Sequence, residues 1–349
     1  MRGRLLSWRG GNRLLVLGAL AIGITAALWL YNEARAGYTF LFQTPYQGYL
    51  APAATVRLDP GINAESAATR LEAAGVIASA RIFVRYLKWQ EWTHRVQAGT
   101  YRFQHPMTLP DVARKVVRGE VARATVTLPE GWTASRMFRE LEAAGIGRYD
   151  VYRQVWATPR RVADIAPEAT TLEGYLFPDT YEVPEGVSED AMTGIMVDRF
   201  RRVALPLIQD RGARAPRTIH QLVTLASLVE KEAGAPDERS LVASVFTNRL
   251  EQGIRLQCDP TLIYAEWLAK GEWDGEINRS DLSRPSPYNT YLKSGLPPGP
   301  IANPGRGAIL AAVEPARSRY LYFVSMNNGR HFFSDNLREH NRAVHKYQR

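Results

Sequence analysis

Apolar and polar positions follow three rhythms along this chain. The first is an unbroken apolar run: Leu14 to Tyr31 is an uncharged stretch of 18 residues, near the lower limit for crossing roughly 30 Å of hydrocarbon as a helix. The second is a strand-turn-helix pattern that occurs twice. Thr55–Ile77 and Thr125–Gly147 have the same length and agree at 10 of 23 positions. Each predicts a short alternating strand, a turn at Gly61 or Gly131, a helix capped near Asn63 or Thr133, and a stop at Gly75 or Gly145. Between the copies, Ala80 to Trp92 reads as a helix, and Gln97 to Glu120 as a strand, a Pro-containing turn and a helix. Two copies are too few for a solenoid. Tyr101, Phe103 and Trp132 lie near the turns, where they suit either small carbohydrate-binding modules or small apolar cores.

The third rhythm is helical and fills the second half. Leu172 to Tyr181 reads as an aromatic loop broken by Pro178, and Gly186 to Val203 as a helix. In Gln221 to Gly234, residues Leu222, Leu225, Leu228 and Val229 fall on one stripe at 100° per residue. A second helix opens at Pro236 and Asp237, buries Leu241, Val242, Val245, Phe246 and Leu250, and ends at Gly253. The short connection predicts a helical hairpin with Glu232 near its turn. Ser286 to Pro304 holds five prolines and two glycines among aromatics and amides, the make-up of a binding loop held by rigid neighbours. Tyr320 to Ser325 reads as a buried strand with His331 to Phe333 as its hairpin partner, and Asn336 to Tyr347 as a helix. The fold class is α+β: an N-terminal transmembrane helix, small α/β subdomains, then a mixed α+β domain.

Charge sharpens the reading of the first run. Arg2, Arg4, Arg9 and Arg13 precede it, so the positive-inside rule keeps the N-terminus cytoplasmic and delivers everything after residue 32 outside. A cleaved signal peptide is the competing reading, because Ala34-Arg35-Ala36 loosely fits a cleavage site, but the run exceeds the usual 7 to 15 residues of an h-region. The formal charge of +9 owes four units to that leader. With no zinc-knuckle spacing, aromatic RNA-binding strand or dense basic run, nucleic acid is not an expected partner. The one cysteine, Cys258, excludes an intrachain disulfide and reads as a packed thiol.

The chemistry left open by the motifs is that of carboxylates. The six histidines include no HExxH, and His340 and His345 lie on different helix faces, so neither a metal nor a cofactor is expected. Walker, GxGxxG and GxSxG patterns are absent, and Ser227 lies inside a helix. Glu230 and Glu232 sit in the last turn of the central helix and point roughly 160° apart. Glu232 falls at the edge of the apolar stripe beside Leu225 and Leu228, where desolvation and the helix C-terminus would both raise its pKa. The alternative is that both are ordinary solvated helix-end glutamates. Side chains of Tyr, Asn, Thr and Gln downstream suit a polyhydroxylated substrate.

The stretches ASLVEKEAG, ERSLVASVFTNRL, RLQCDPTLIY, YNTYLKSGLPPGPIANPG and YLYFVS closely resemble the catalytic domain of the endolytic murein transglycosylases, the YceG-like family. GTYRF at Gly99–Phe103 with MTLPDVARKVVRGE resembles the LysM-like segment found upstream in that family, and EGYLFPDTY at Glu173–Tyr181 fits as well. The resemblance runs from about residue 50 to 347. It implies a basic leader at 1–13, a transmembrane helix at 14–31, a linker at 32–52, a LysM-like subdomain at 53–122 and a catalytic domain at 123–349. The implied activity is cleavage of the β-1,4 bond between N-acetylmuramic acid and N-acetylglucosamine in nascent strands, leaving 1,6-anhydro ends and ending elongation.

The resemblance makes Glu232 the catalytic acid and base, with Glu230 ranked next. Gln257, Tyr288, Asn289, Thr290 and Asn303 are the expected sugar-binding groups, although Gln257 and Asn289 equally suit buried backbone partners and Tyr288 the core. Asp259 is the second acid a hydrolase would need, or a turn or helix cap beside Pro260. Cys258 occupies a position in the LQCDP motif where a relative carries Thr, and a small residue of either kind leaves the implied mechanism intact. Expected partners are glycan strands, the cytoplasmic (inner) membrane, with the catalytic domain on its outer side, and peptidoglycan synthases. A glycoside hydrolase and a non-catalytic peptidoglycan-binding protein remain as alternatives.

Overall fold

A computed structural model describes residues 8–46, 53–212, 217–271 and 277–348. Arg2, Arg4 and the end of the expected linker lie outside the described residues. The chain divides into two compact units, one ending at Ala122 and one beginning at Arg123.

In the first unit, helix α1 spans Trp8–Tyr38 and continues as a π-helical turn over Thr39–Gln43. It outruns the apolar stretch because residues 32–38 contain no proline to stop it, so the expected linker begins as helix. Among the described residues it is the one helix long and apolar enough to cross a membrane, and its apolar window is exposed. Next come β1 (Ala54–Leu58), α2 (Ala64–Ala73), α3 (Ala80–Trp89), β2 (Gly99–Phe103) and α4 (Leu109–Arg118). β1 and β2 pair antiparallel with Val56 opposite Tyr101. Tyr101 and Phe103 are fully buried, and the Tyr101 hydroxyl donates to the Gln97 carbonyl at 2.8 Å. These two aromatics are core, and unavailable as a sugar platform.

In the second unit, β3 (Arg123–Leu128) and α5 (Ala134–Ala143) form the second strand-turn-helix copy. Gly61 and Gly131 take φ of +79° and +76° at the two turns, and Asn63 and Thr133 each cap the helix that follows, as the repeat requires. After α6 (Tyr149–Trp156), the segment expected to be an aromatic loop ends in a strand, β4 (Asp179–Pro184). β4 pairs antiparallel with β3, Val126 opposite Tyr181. Its alternation is clear only once that distant partner is known: Tyr181 and Val183 are buried, Thr180 and Glu182 exposed. The helices α7 (Glu189–Val203), α8 (Leu205–Gly212), α9 (Ile219–Glu232), α10 (Arg239–Glu251), α11 (Asp259–Lys270), α12 (Arg279–Leu282) and α13 (Arg306–Val313) follow. The hairpin β5 (Tyr322–Ser325) and β6 (His331–Ser334) precedes the last helix, α14 (Leu337–Tyr347).

α9 is the axis of this unit. Thr218 caps it, and Gln221 reaches back to the Thr218 N–H in a capping box, worth about 1 kcal/mol. The four-residue stripe understates its burial, because every residue from Leu222 to Val229 is buried. The unpredicted α13, an Ala-rich helix without a polar face, packs against both α9 and α10. In the β5–β6 hairpin only Val324 of β5 is buried, so the strand is half-covered where the sequence predicted full burial.

Candidate active site

The C-terminal turn of α9 turns its two acids in opposite directions. Glu230 is held: it lies 3.1 Å from the Arg239 guanidinium and accepts the Gly305 N–H at 3.0 Å. Burial raises its pKa, while Gly305 and Arg239 pull it down. Glu232 instead opens onto a cavity of about 470 Å³ lined by Arg249, Gln257, Asp259, Tyr291, His331 and His340 among others. Burial pushes the Glu232 carboxyl above the ordinary carboxylate range, and the neighbouring Asp259 charge pushes the same way; the Cys258 thiol and His331 oppose them. A carboxyl in that position is suited to donate a proton near neutral pH. Cys258 is therefore more than packing. Burial and Glu232 drive its own pKa well up, which keeps the thiol protonated as a donor to the acid.

The rest of the cavity wall is set by backbone geometry. Ala233 leaves the helix in extended conformation, and Gly234 lets the hairpin come close: a Cβ there would lie 2.7 Å from the Gly329 carbonyl oxygen. That approach brings His331 of β6 into the wall. Gln257 is one of three non-glycine residues described with positive φ, at +51°, a conformation that costs on the order of 1 kcal/mol and clusters at functional sites. Its N–H donates to the Thr290 carbonyl at 3.2 Å, and its Oε1 accepts from Arg249 at 3.5 Å. Arg249 also donates to the carbonyls of Arg255, Leu256 and Leu321, so one buried guanidinium gathers the irregular segment before Gln257 and the residue that leads into β5. Asp259 begins α11 and accepts the Tyr291 hydroxyl.

Four residues expected at the sugar surface lie outside the lining of this cavity. Asn289 is fully buried; its amide donates to the carbonyls of Asp281, Leu282 and Arg284 and accepts the Tyr291 N–H at 2.9 Å. Thr290 is buried too, accepting the Cys258 N–H at 3.0 Å and meeting the Thr261 hydroxyl at 2.9 Å. Asn303 accepts from the N–H groups of Gly174 and Leu176 and donates to the Trp132 carbonyl and to Glu173. Tyr288 is half-buried with its ring centroid 5.0 Å from that of Tyr264. Asn289, Thr290 and Asn303 are occupied in holding loops together, Tyr288 packs on Tyr264, and none of the four lines the Glu232 cavity.

Sequence reasoning missed Glu173 and His331. Glu173 is 1% exposed and accepts from the Ala134 N–H, Asn303 and the Tyr264 hydroxyl. Burial raises its pKa to about 8. A lone acid within the apolar run LEGYLF was the available signal. His331 had none, since its partner Glu238 is 93 residues away.

Comparison with known proteins gives this geometry its context. The model of the YceG-like family matches residues 56–346. A Bacillus subtilis protein named endolytic murein transglycosylase is 32% identical over 314 residues, covering 84% of each chain. A Streptococcus pneumoniae protein of the same name is 30% identical over 318 residues, 83% of this chain and 57% of its own length. The crystal structure of a YceG-like protein of Listeria monocytogenes, 34% identical, superposes with a TM-score of 0.56 over 83% of this chain and 98% of that one. A family match over most of the chain, with relatives alike in both sequence and fold, places this protein in the YceG-like family.

Proposed function

We propose that this chain is an endolytic peptidoglycan lytic transglycosylase with Glu232 as its acid. The observation that carries the reading is the Glu232 carboxyl, raised by burial and open to a polar cavity, while Glu230 is engaged by Arg239 and Gly305. Protonated Glu232 gives its proton to the oxygen leaving C1 of N-acetylmuramic acid, as the acetamido group or the sugar's own 6-hydroxyl closes on C1. In the simplest scheme the same carboxyl then takes the 6-hydroxyl proton, leaving a 1,6-anhydro end without water. Gln257 and Asp259 border the cavity where the sugars would lie, Asn289 and Thr290 act by fixing its loops, and Asn303 ties the turn at Gly174 and Leu176 to Trp132. The four arginines ahead of the apolar run keep the N-terminus cytoplasmic, so the enzyme works outside the cytoplasmic membrane. There it ends strand elongation beside the peptidoglycan synthases, the first unit serving as a LysM-like module.

One observation favours a second reading. Asp259 shares the cavity with Glu232, and a second carboxylate could activate water for hydrolysis. Mass spectrometry of products from uncrosslinked glycan, digested by the full chain in detergent beside Glu232→Gln, separates the two. Anhydro ends from the wild type and none from the variant are expected. Reducing ends would replace the lyase with a hydrolase, and equal cleavage by both proteins would remove Glu232 as the acid.

A further inference from the structure

Glu238 stands at the start of α10, 6% exposed, with no place in the scheme above. Its two oxygens accept the backbone N–H of His331 at 3.2 and 3.1 Å, and one lies 2.9 Å from His331 Nδ1. Arg330 approaches the same carboxylate at 3.8 Å. A carboxylate used in this way can only accept, so the shared proton sits on Nδ1, which leaves Nε2 as the nitrogen that can take or give a second one. Nε2 has no hydrogen-bond partner among the described residues and is not sealed in the protein. The ring it belongs to lines the Glu232 cavity. Phe323 and Phe333 pack against the imidazole with centroids 5.4 and 6.3 Å away, which leaves it little freedom to swing. Buried carboxylate, oriented imidazole and open Nε2 together are the arrangement by which an acid side chain fixes the tautomer of a histidine base.

We propose that His331, oriented by Glu238, is a second acid-base group of the cleft and accepts the proton of the attacking 6-hydroxyl at Nε2. The inference rests on the transglycosylase reading and divides its chemistry between two residues. Glu232 gives its proton to the leaving oxygen as the C1–O bond breaks. The 6-hydroxyl oxygen bonds to C1 while its proton passes to Nε2. The carboxylate and imidazolium left behind then exchange that proton back to Glu232 through solvent, restoring the resting pair. A single carboxyl no longer has to reach both the leaving oxygen and the 6-hydroxyl in one geometry. Glu238 is a positioning residue, because it touches the imidazole and lies out of the cavity lining.

The test is steady-state turnover of uncrosslinked glycan by the full chain in detergent, for wild type, His331→Ala, His331→Gln, Glu238→Gln and Glu232→Gln. For His331→Ala, kcat is expected to fall on the order of 10²-fold, the low end for general acid-base catalysis, with KM changed little. Added imidazole should restore part of the rate, because the vacated volume adjoins the cavity. Glu238→Gln keeps one acceptor oxygen for the ring and should lose less. His331→Gln keeps the test standing if the alanine variant melts early. Wild-type kcat in both His331 variants would overturn the proposal. So would a rate loss that imidazole cannot restore in a variant that melts and binds glycan normally. If Glu232→Gln is inactive while His331→Ala is unaffected, only the present inference falls. If Glu232→Gln turns over normally, it is the acid assignment that fails.

Discussion

Replacing Asn303 by alanine separates a loop clamp from a sugar ligand. Its Oδ1 is the hydrogen-bond acceptor for the N–H groups of Gly174 at 2.9 Å and Leu176 at 3.1 Å, all of them buried. Its Nδ2 serves the Trp132 carbonyl and Glu173, but each of these has another partner: the Asn303 N–H for Trp132 and the Ala134 N–H for Glu173. Truncation therefore strands two buried N–H groups. At about 1–3 kcal/mol for each, and with some relief if water enters the vacated space, the loss should be about 3–4 kcal/mol. For a domain of this size that corresponds to a fall in Tm of roughly 6–15 °C. Thermal unfolding of the full chain in detergent, followed by tryptophan fluorescence, measures it. Glycan binding per folded molecule should be unchanged. A variant that melts within about 2 °C of the wild type yet loses glycan binding would refute the clamp and return Asn303 to the sugar surface, where the sequence placed it.

Two further predictions follow from buried or strained groups. Glu173 holds its proton up to about pH 8 when folded, against an ordinary 4.5, so the stability its neutral form supplies is complete below about pH 4.5 and is lost as pH rises to about 8. The upper limit of that loss is on the order of 5 kcal/mol; Glu173→Gln, which cannot ionise, should flatten the fall in Tm across that window, and an unchanged pH profile would disprove the shift. Gln257→Gly removes the cost of φ +51° but loosens the unfolded chain and loses the Arg249 contact, so stability should stay within about 1 kcal/mol of the wild type. The same change should lower kcat/KM, and Gln257→Ala, which keeps a Cβ at that φ, should be less stable than Gln257→Gly; equal stability of the two would show that the position is held without strain.

Features with a local cause were legible in the sequence. The helical period alone turned Glu230 and Glu232 apart, and the structure pairs one with Arg239 while opening the other to a cavity. The repeat announced both strand-turn-helix units because cap, glycine turn and stop all lie within 23 residues. Features made by long-range pairing were not legible. β4 was hidden because its partner strand lies some 50 residues upstream, and the Glu238–His331 pair because 93 residues separate its members. For the amides of the Pro-rich segment the sequence could not choose between sugar and backbone partners, for a different reason. Loops without ladders still carry backbone N–H and C=O groups that must be paired once buried, and Asn289 and Asn303 supply those partners. A polar side chain in such a loop thus has a prior claim on it from the chain itself, before any ligand. That claim also accounts for the division of labour in this unit: the buried amides, Thr290 and Arg249 hold the loops still, while Glu232 opens onto the cavity.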